Sequence, residues 1–144
     1  MEGSIRSSNI FFPLANMEED FQHFEMVGSG KFGKVYRVVC KKSGDVFAAK
    51  HIQCRRASEK RRVWDEIEIL RGIEHSVLVR LYRVYSDTEN DEIVEILEYL
   101  PGGELFNRIL QTTDIMITEM DIAGFIYQIL TGNIKYIKCH KCLR

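Results

Sequence analysis

The chain has 144 residues, enough for one domain or part of one. It is 45% hydrophobic and 28% charged, a soluble globular composition, and its net charge of −1 gives no global attraction to nucleic acid. No run approaches the ~18 apolar residues of a membrane span. The N-terminus, broken by Pro13 and lacking a basic lead, is no signal peptide.

Residues 1–20 are polar and irregular and read as a flexible leader. Phe24–Val27 is short and apolar and runs into a glycine cluster. Lys34–Cys40 (K-V-Y-R-V-V-C) and Val46–Ile52 (V-F-A-A-K-H-I) are rich in β-branched and aromatic residues and predict two strands about the turn K-K-S-G-D. Ser58 is in place to cap a helix over Glu59–Gly72, with Val63, Ile67 and Leu70 on one face. Leu81–Ser86 and Glu92–Glu98 predict two more strands joined by D-T-E-N-D. Pro101-Gly102-Gly103 breaks the chain before a short helix, Glu104–Gln111. Thr118, with Asp121 three residues on, predicts a boxed cap for a longer helix. Tight turns between successive strands favour an antiparallel sheet and an α+β plan.

V-G-S-G-K-F-G-K-V-Y (Val27–Tyr36) holds glycines at the spacing G-x-G-x-x-G. In a dinucleotide fold that loop opens a helix, whose N-terminus holds the pyrophosphate. Here a strand follows Gly33, so the context is wrong. Gly28–Lys34 also fits G-x-x-x-x-G-K, but the next residue is Val35, which has no oxygen for magnesium. What remains is a glycine-tipped hairpin, either a plain turn or a lid whose backbone N–H groups approach phosphates. Lys50 favours the lid. Small Ala48 leaves room for a flat ring, and the Lys50 ammonium reaches the phosphates. A lysine on a half-buried strand needs a counter-charge. Glu66, bordering the apolar helix face, supplies it, while Glu68 faces solvent.

Together, G-S-G-K-F-G-K-V, F-A-A-K, W-D-E-I-E-I-L-R and E-I-L-E-Y-L-P-G-G-E-L-F resemble the small lobe of a eukaryotic protein kinase, from about Phe21 to Tyr136. The last segment and F-A-A-K resemble the calcium/calmodulin-dependent serine/threonine group, in the style of myosin light chain, titin-like and death-associated kinases. The resemblance implies a five-stranded antiparallel sheet with one helix over 21–100, then the first helices of an incomplete large lobe over 101–138. It implies ATP as cosubstrate and a protein substrate or partner. Lys50 and Glu66 take catalytic roles. Gly28, Ser29, Gly30, Lys31, Phe32 and Gly33 form the lid, with Phe32 at its tip. Val27, Val35 and Ala48 sandwich adenine, and Leu97 closes the back of the pocket. Glu98 C=O and Leu100 N–H bond adenine, and Glu104 contacts ribose or a basic substrate residue.

The family's catalytic-loop Asp and Asn and its D-F-G Asp have no counterpart in this sequence, so magnesium, expected for the family, lacks its protein ligands. Asn133 looks like a one-residue insertion that rotates Tyr136 and Ile137 about the helix axis by about 100°. Residues 139–144 form a divergent tail. Its C-H-K-C is too poor in ligands for zinc and comes after a helix rather than opening one. With Cys40 and Cys54, these cysteines read as reduced thiols of a cytoplasmic protein. Ile122, Phe125, Ile126, Ile129 and Leu130 form an apolar stripe open to a partner or to self-association. No contact with nucleic acid or membrane is expected.

Overall fold

The computed structural model describes residues 10–30, 33–110 and 117–142. Strand β1 (Phe11–Pro13) leads through a 3-10 turn into α1 (Met17–Asp20). Then come β2 (Phe21–Gly30), β3 (Gly33–Cys40), β4 (Val46–Gln53), α2 (Ala57–Arg71), β5 (Leu81–Asp87) and β6 (Glu92–Glu98). The helices α3 (Leu105–Leu110) and α4 (Glu119–Cys142) complete the order. The chain divides into two compact units. One runs to Asp65 and resumes over Leu81–Tyr99; the other holds Glu66–Arg80 and the chain from Leu100 on.

The first unit is built on a sheet of order β1-β5-β6-β4-β3-β2. All pairings are antiparallel except β1 with β5, which is parallel. The α+β class holds, but the sheet has six strands rather than the expected five. The extra strand comes from the segment read as a leader. Phe12 and Leu14 pack against the core there, and Met17 is 3% exposed. Directly opposed residues share a sheet face. One face carries Val38, Ala49, Tyr85, Val94 and Ile96, which close over Met17 and Phe21 as the main core. Aromatic edges fasten it: Phe21 meets Phe47 at 5.9 Å and Tyr85 at 6.2 Å. On β1, Phe12 meets Tyr85 at 5.7 Å while Phe11 turns to Trp64 of α2 at 5.5 Å, as strand alternation requires.

A polar clamp ties α1 to β5. The Tyr85 hydroxyl donates to Asp20 Oδ2 at 2.6 Å, and Arg83 donates to the same oxygen at 2.9 Å. Burial, then the bond to Asp20, pushes the Tyr85 phenol up to about 12. The unfolded phenol titrates near pH ~10. A folded value above the unfolded one stabilises the protein below that pH, and the contribution is lost as pH rises through the folded value. Between pH ~10 and ~12 the wild type is expected to lose on the order of 2 kcal/mol from this source. Tyr85→Phe should lack that component of the loss. Urea melts at stepped pH would show it, and parallel profiles for the two proteins would count against the clamp.

Helix α2 begins two residues before the expected start, and Ser58 lies inside its first turn instead of capping it. The Arg56 carbonyl accepts the first helical N–H groups, from Glu59 at 3.0 Å and Lys60 at 3.1 Å. Glu59 reaches back to accept from Arg56 N–H at 3.2 Å. This is the reciprocal half of a capping box, which satisfies the N–H of the cap residue rather than the first-turn N–H groups that Ser58 was expected to bond. Val63 and Ile67 are buried and Glu68 is exposed, bonded by Arg71 at 3.1 Å.

In the second unit, α3 starts at Leu105, so Glu104 precedes it and accepts from Asn107 at 3.4 Å. The expected capping box of α4 is present. Thr118 N–H donates to Asp121 Oδ2 at 2.9 Å, and Asp121 N–H donates to Thr118 Oγ1 at 3.2 Å. The helix passes without a break through Asn133 and on to Cys142, so the C-H-K-C stretch continues it. A side chain at Gly132 would press on Leu78, so the loop before β5 lies close against α4 here. Ile122, Ile126, Ile129 and Leu130 are exposed, as the stripe predicted, and Phe125 is half-buried.

Candidate functional site

The glycine hairpin is β2 turning into β3. The strands pair through Ser29↔Lys34 and Gly30↔Gly33. Phe32, expected at the tip, and Lys31 beside it in the lid lie outside the described residues. The described glycines of the motif differ in what holds them. Gly33 has φ +123°, a backbone region that L side chains rarely adopt, and a Cβ there would fall on the His51 backbone carbonyl. Gly28 and Gly30 have no neighbour within 4 Å of where a Cβ would stand. Their approach side is open. A register shift between Met26 and Gly28 lets Val27 fall at an irregularity of β2, where it is 47% exposed.

The sheet register assembles the rest. Gly28 opposes Val35, Val35 opposes Lys50, Lys50 opposes Glu95, and Glu95 opposes Val84. These residues form one row across one sheet face. In the adjoining row of that face Arg37 opposes Ala48, and Ala48 opposes Leu97. Val35, Ala48, Lys50 and Leu97 therefore share a surface, the one opposite the main core. It is a small apolar platform with the Lys50 ammonium beside it. Arg37 at its margin pairs with Glu25 at 3.9 Å and lies over the Tyr99 ring, 5.8 Å from its centroid.

Lys50 meets a carboxylate inside the sheet. Its Nζ lies 3.0 Å from Glu95 Oε2. The Lys50 side chain is 20% exposed and that of Glu95 is fully buried. Sequence patterning pointed to Glu66 on α2 as the counter-charge; Glu66 is half-buried and belongs to the second unit. Glu95 went unforeseen. The signal was there in E-I-V-E-I-L-E, a lone acid between apolar neighbours in the middle of a strand. Such a residue is solvated on an open face or neutralised on a covered one.

Glu98, with the opposite parity to Leu97, is exposed, and Leu100 is 56% exposed at the start of the second unit. Glu104 borders a hollow of about 510 Å³ within the second unit, lined also by Val77, Leu78, Phe125 and Ile129. Among the described residues no group of three or more His, Cys, Asp and Glu side chains could hold a metal ion.

A family model described as protein kinase domain matches residues 21–143. The smooth-muscle myosin light chain kinase of Gallus gallus is 41% identical over 113 residues, which cover 78% of this chain and 6% of that protein. Myosin light chain kinase family member 4 of Homo sapiens is 37% identical over 108 residues, covering 75% and 27%. The twitchin kinase region from C. elegans has a similar solved structure, with a TM-score of 0.71 and 30% identity over 83% of this chain and 20% of that one. The chain spans at most 27% of the length of these relatives.

Proposed function

The chain belongs to the protein kinase family, and from that premise we propose that it is the ATP-binding portion of a serine/threonine kinase of the calmodulin-dependent style, acting in the cytoplasm. The observation that supports this reading most is the shared sheet face of Val35, Ala48, Lys50 and Leu97, with Gly28 in the same row. An apolar platform suits a purine ring, and the Lys50 ammonium beside it suits phosphate. Val27, Val35 and Ala48 would cover adenine, with Leu97 behind it. Lys50 would hold the phosphates, and the open backbone at Gly28 and Gly30 would approach them. The counter-charge role of Glu66, the adenine bonds of Glu98 C=O and Leu100 N–H, and the ribose or substrate contact of Glu104 are part of the same proposal. So are the places of Ser29, Lys31 and Phe32 in the lid. Among the described residues no helix is long and apolar enough to cross a membrane.

The family reaction moves the γ-phosphoryl of ATP to a Ser or Thr hydroxyl of a protein. These 144 residues contain neither H-R-D nor D-F-G. The chain by itself is therefore expected to bind ATP and to transfer no phosphoryl group. A fluorescence titration should give saturable binding of adenosine and ATP, abolished by Ala48→Phe, which fills the platform. Radiolabelled ATP with a basic Ser peptide should give label at background. Absence of saturable binding by the folded protein would sink the nucleotide reading.

A second reading is supported by α4, where Ile122, Ile126, Ile129 and Leu130 are 47–56% exposed. The chain would then act as a non-catalytic module that meets a protein partner, or a second copy, through this helix. Size-exclusion chromatography with light scattering separates the cases: a discrete complex or dimer supports the module, a monomer opposes self-association.

A further inference from the structure

We propose that Glu95 is a positioning residue that competes with nucleotide phosphate for the Lys50 ammonium and so sets the affinity of this chain for ATP. The proposal rests on the reading of this face as a nucleotide site. Glu95 and Lys50 oppose each other in register on adjacent strands, on the face that also carries Val35, Ala48 and Leu97. The carboxylate is fully buried and its Oε2 lies 3.0 Å from Lys50 Nζ. Geometry therefore draws the ammonium toward the sheet. Electrostatics acts the same way. A fixed anion beside the cation of that row reduces the positive potential that a polyphosphate meets. The effect must grow with the number of phosphates and vanish for a ligand with none. A residue that merely supported the fold would change all adenine ligands alike.

The test is a set of equilibrium titrations in EDTA with adenosine, AMP, ADP and ATP, on wild type, Glu95→Gln and Glu95→Leu. Glu95→Gln keeps size and a polar end while removing the charge. Glu95→Leu is the second variant should the amide fit poorly beside Lys50. Either substitution is expected to tighten ATP about tenfold, ADP and AMP by progressively less, and adenosine by under about twofold. Adding Lys50→Met to Glu95→Leu should remove the gain. Equal shifts for all four ligands, or unchanged ATP binding with adenosine still bound, would overturn the competition and leave the nucleotide site standing. If neither adenosine nor ATP binds any of the folded variants, the nucleotide reading itself falls, and the competition with it.

Discussion

Lys50→Met is expected to lower the unfolding free energy by about 3–5 kcal/mol, because it removes the cation beside a buried carboxylate. The environment carries this expectation. The Glu95 side chain is fully buried and that of Lys50 only 20% exposed, so water screens the pair weakly. Lys60 and Asp91 provide the contrast. Their atoms come closer, to 2.8 Å, but their side chains are 35% and 52% exposed. Lys60→Met is therefore expected to leave the urea midpoint close to that of wild type. Removing both charges at the buried site, as Lys50→Met with Glu95→Leu, should return stability to within about 1–2 kcal/mol of wild type, since the desolvation of both ions disappears with their attraction. Urea unfolding of the four members of that cycle measures the coupling directly. A Lys50→Met protein as stable as wild type would refute it. There is a functional corollary: loss of ATP binding in Lys50→Met reports on phosphate contact only after the variant is shown to be folded.

What could be read from the sequence was what is encoded locally. Glu92–Glu98 has the bounds its β-branched pattern predicted, and β3, β4 and β5 start or stop within one residue of expectation. The α4 cap was legible because Thr118 and Asp121 answer each other across one turn. The α2 cap was misread because Ser58 is a strong capping residue by type, whereas Glu59 reaching back to Arg56 depends on a helix start that composition alone does not fix. β1 escaped notice for a related reason. F-F-P is three residues ending in proline, and it becomes a strand only by lying along β5. Of the candidate site, Ala48 and Lys50 share a face by simple alternation, which the sequence displays. That Val35, Leu97 and Glu95 join them depends on the register of three strands distant in sequence. Glu95 was the least legible of these, since an acid in a strand is ordinary until its face is known to be covered.

Gly33→Ala is expected to destabilise the chain by about 3 kcal/mol or more, the larger share from steric conflict and the rest from backbone strain. At φ +123° an L side chain is disfavoured wherever it stands, and here its Cβ would fall on the carbonyl of His51. That carbonyl belongs to β4, which pairs with β3 through Lys34↔His51 and Val35↔Lys50. Relief would require the end of β3 to part from β4 next to Lys50, so the loss should appear as lower cooperativity as well as a lower midpoint. Gly28→Ala and Gly30→Ala meet nothing within 4 Å and should fall within about 1 kcal/mol of wild type. Thermal melts of the three variants, read beside ATP titrations, separate two demands that the motif superimposes. If phosphate approach alone required the glycines, all three substitutions would weaken ATP binding and spare stability. The geometry instead assigns Gly33 to the close passage of two backbones, and leaves Gly28 and Gly30 as positions where the proposed ATP contact can be tested in a folded protein.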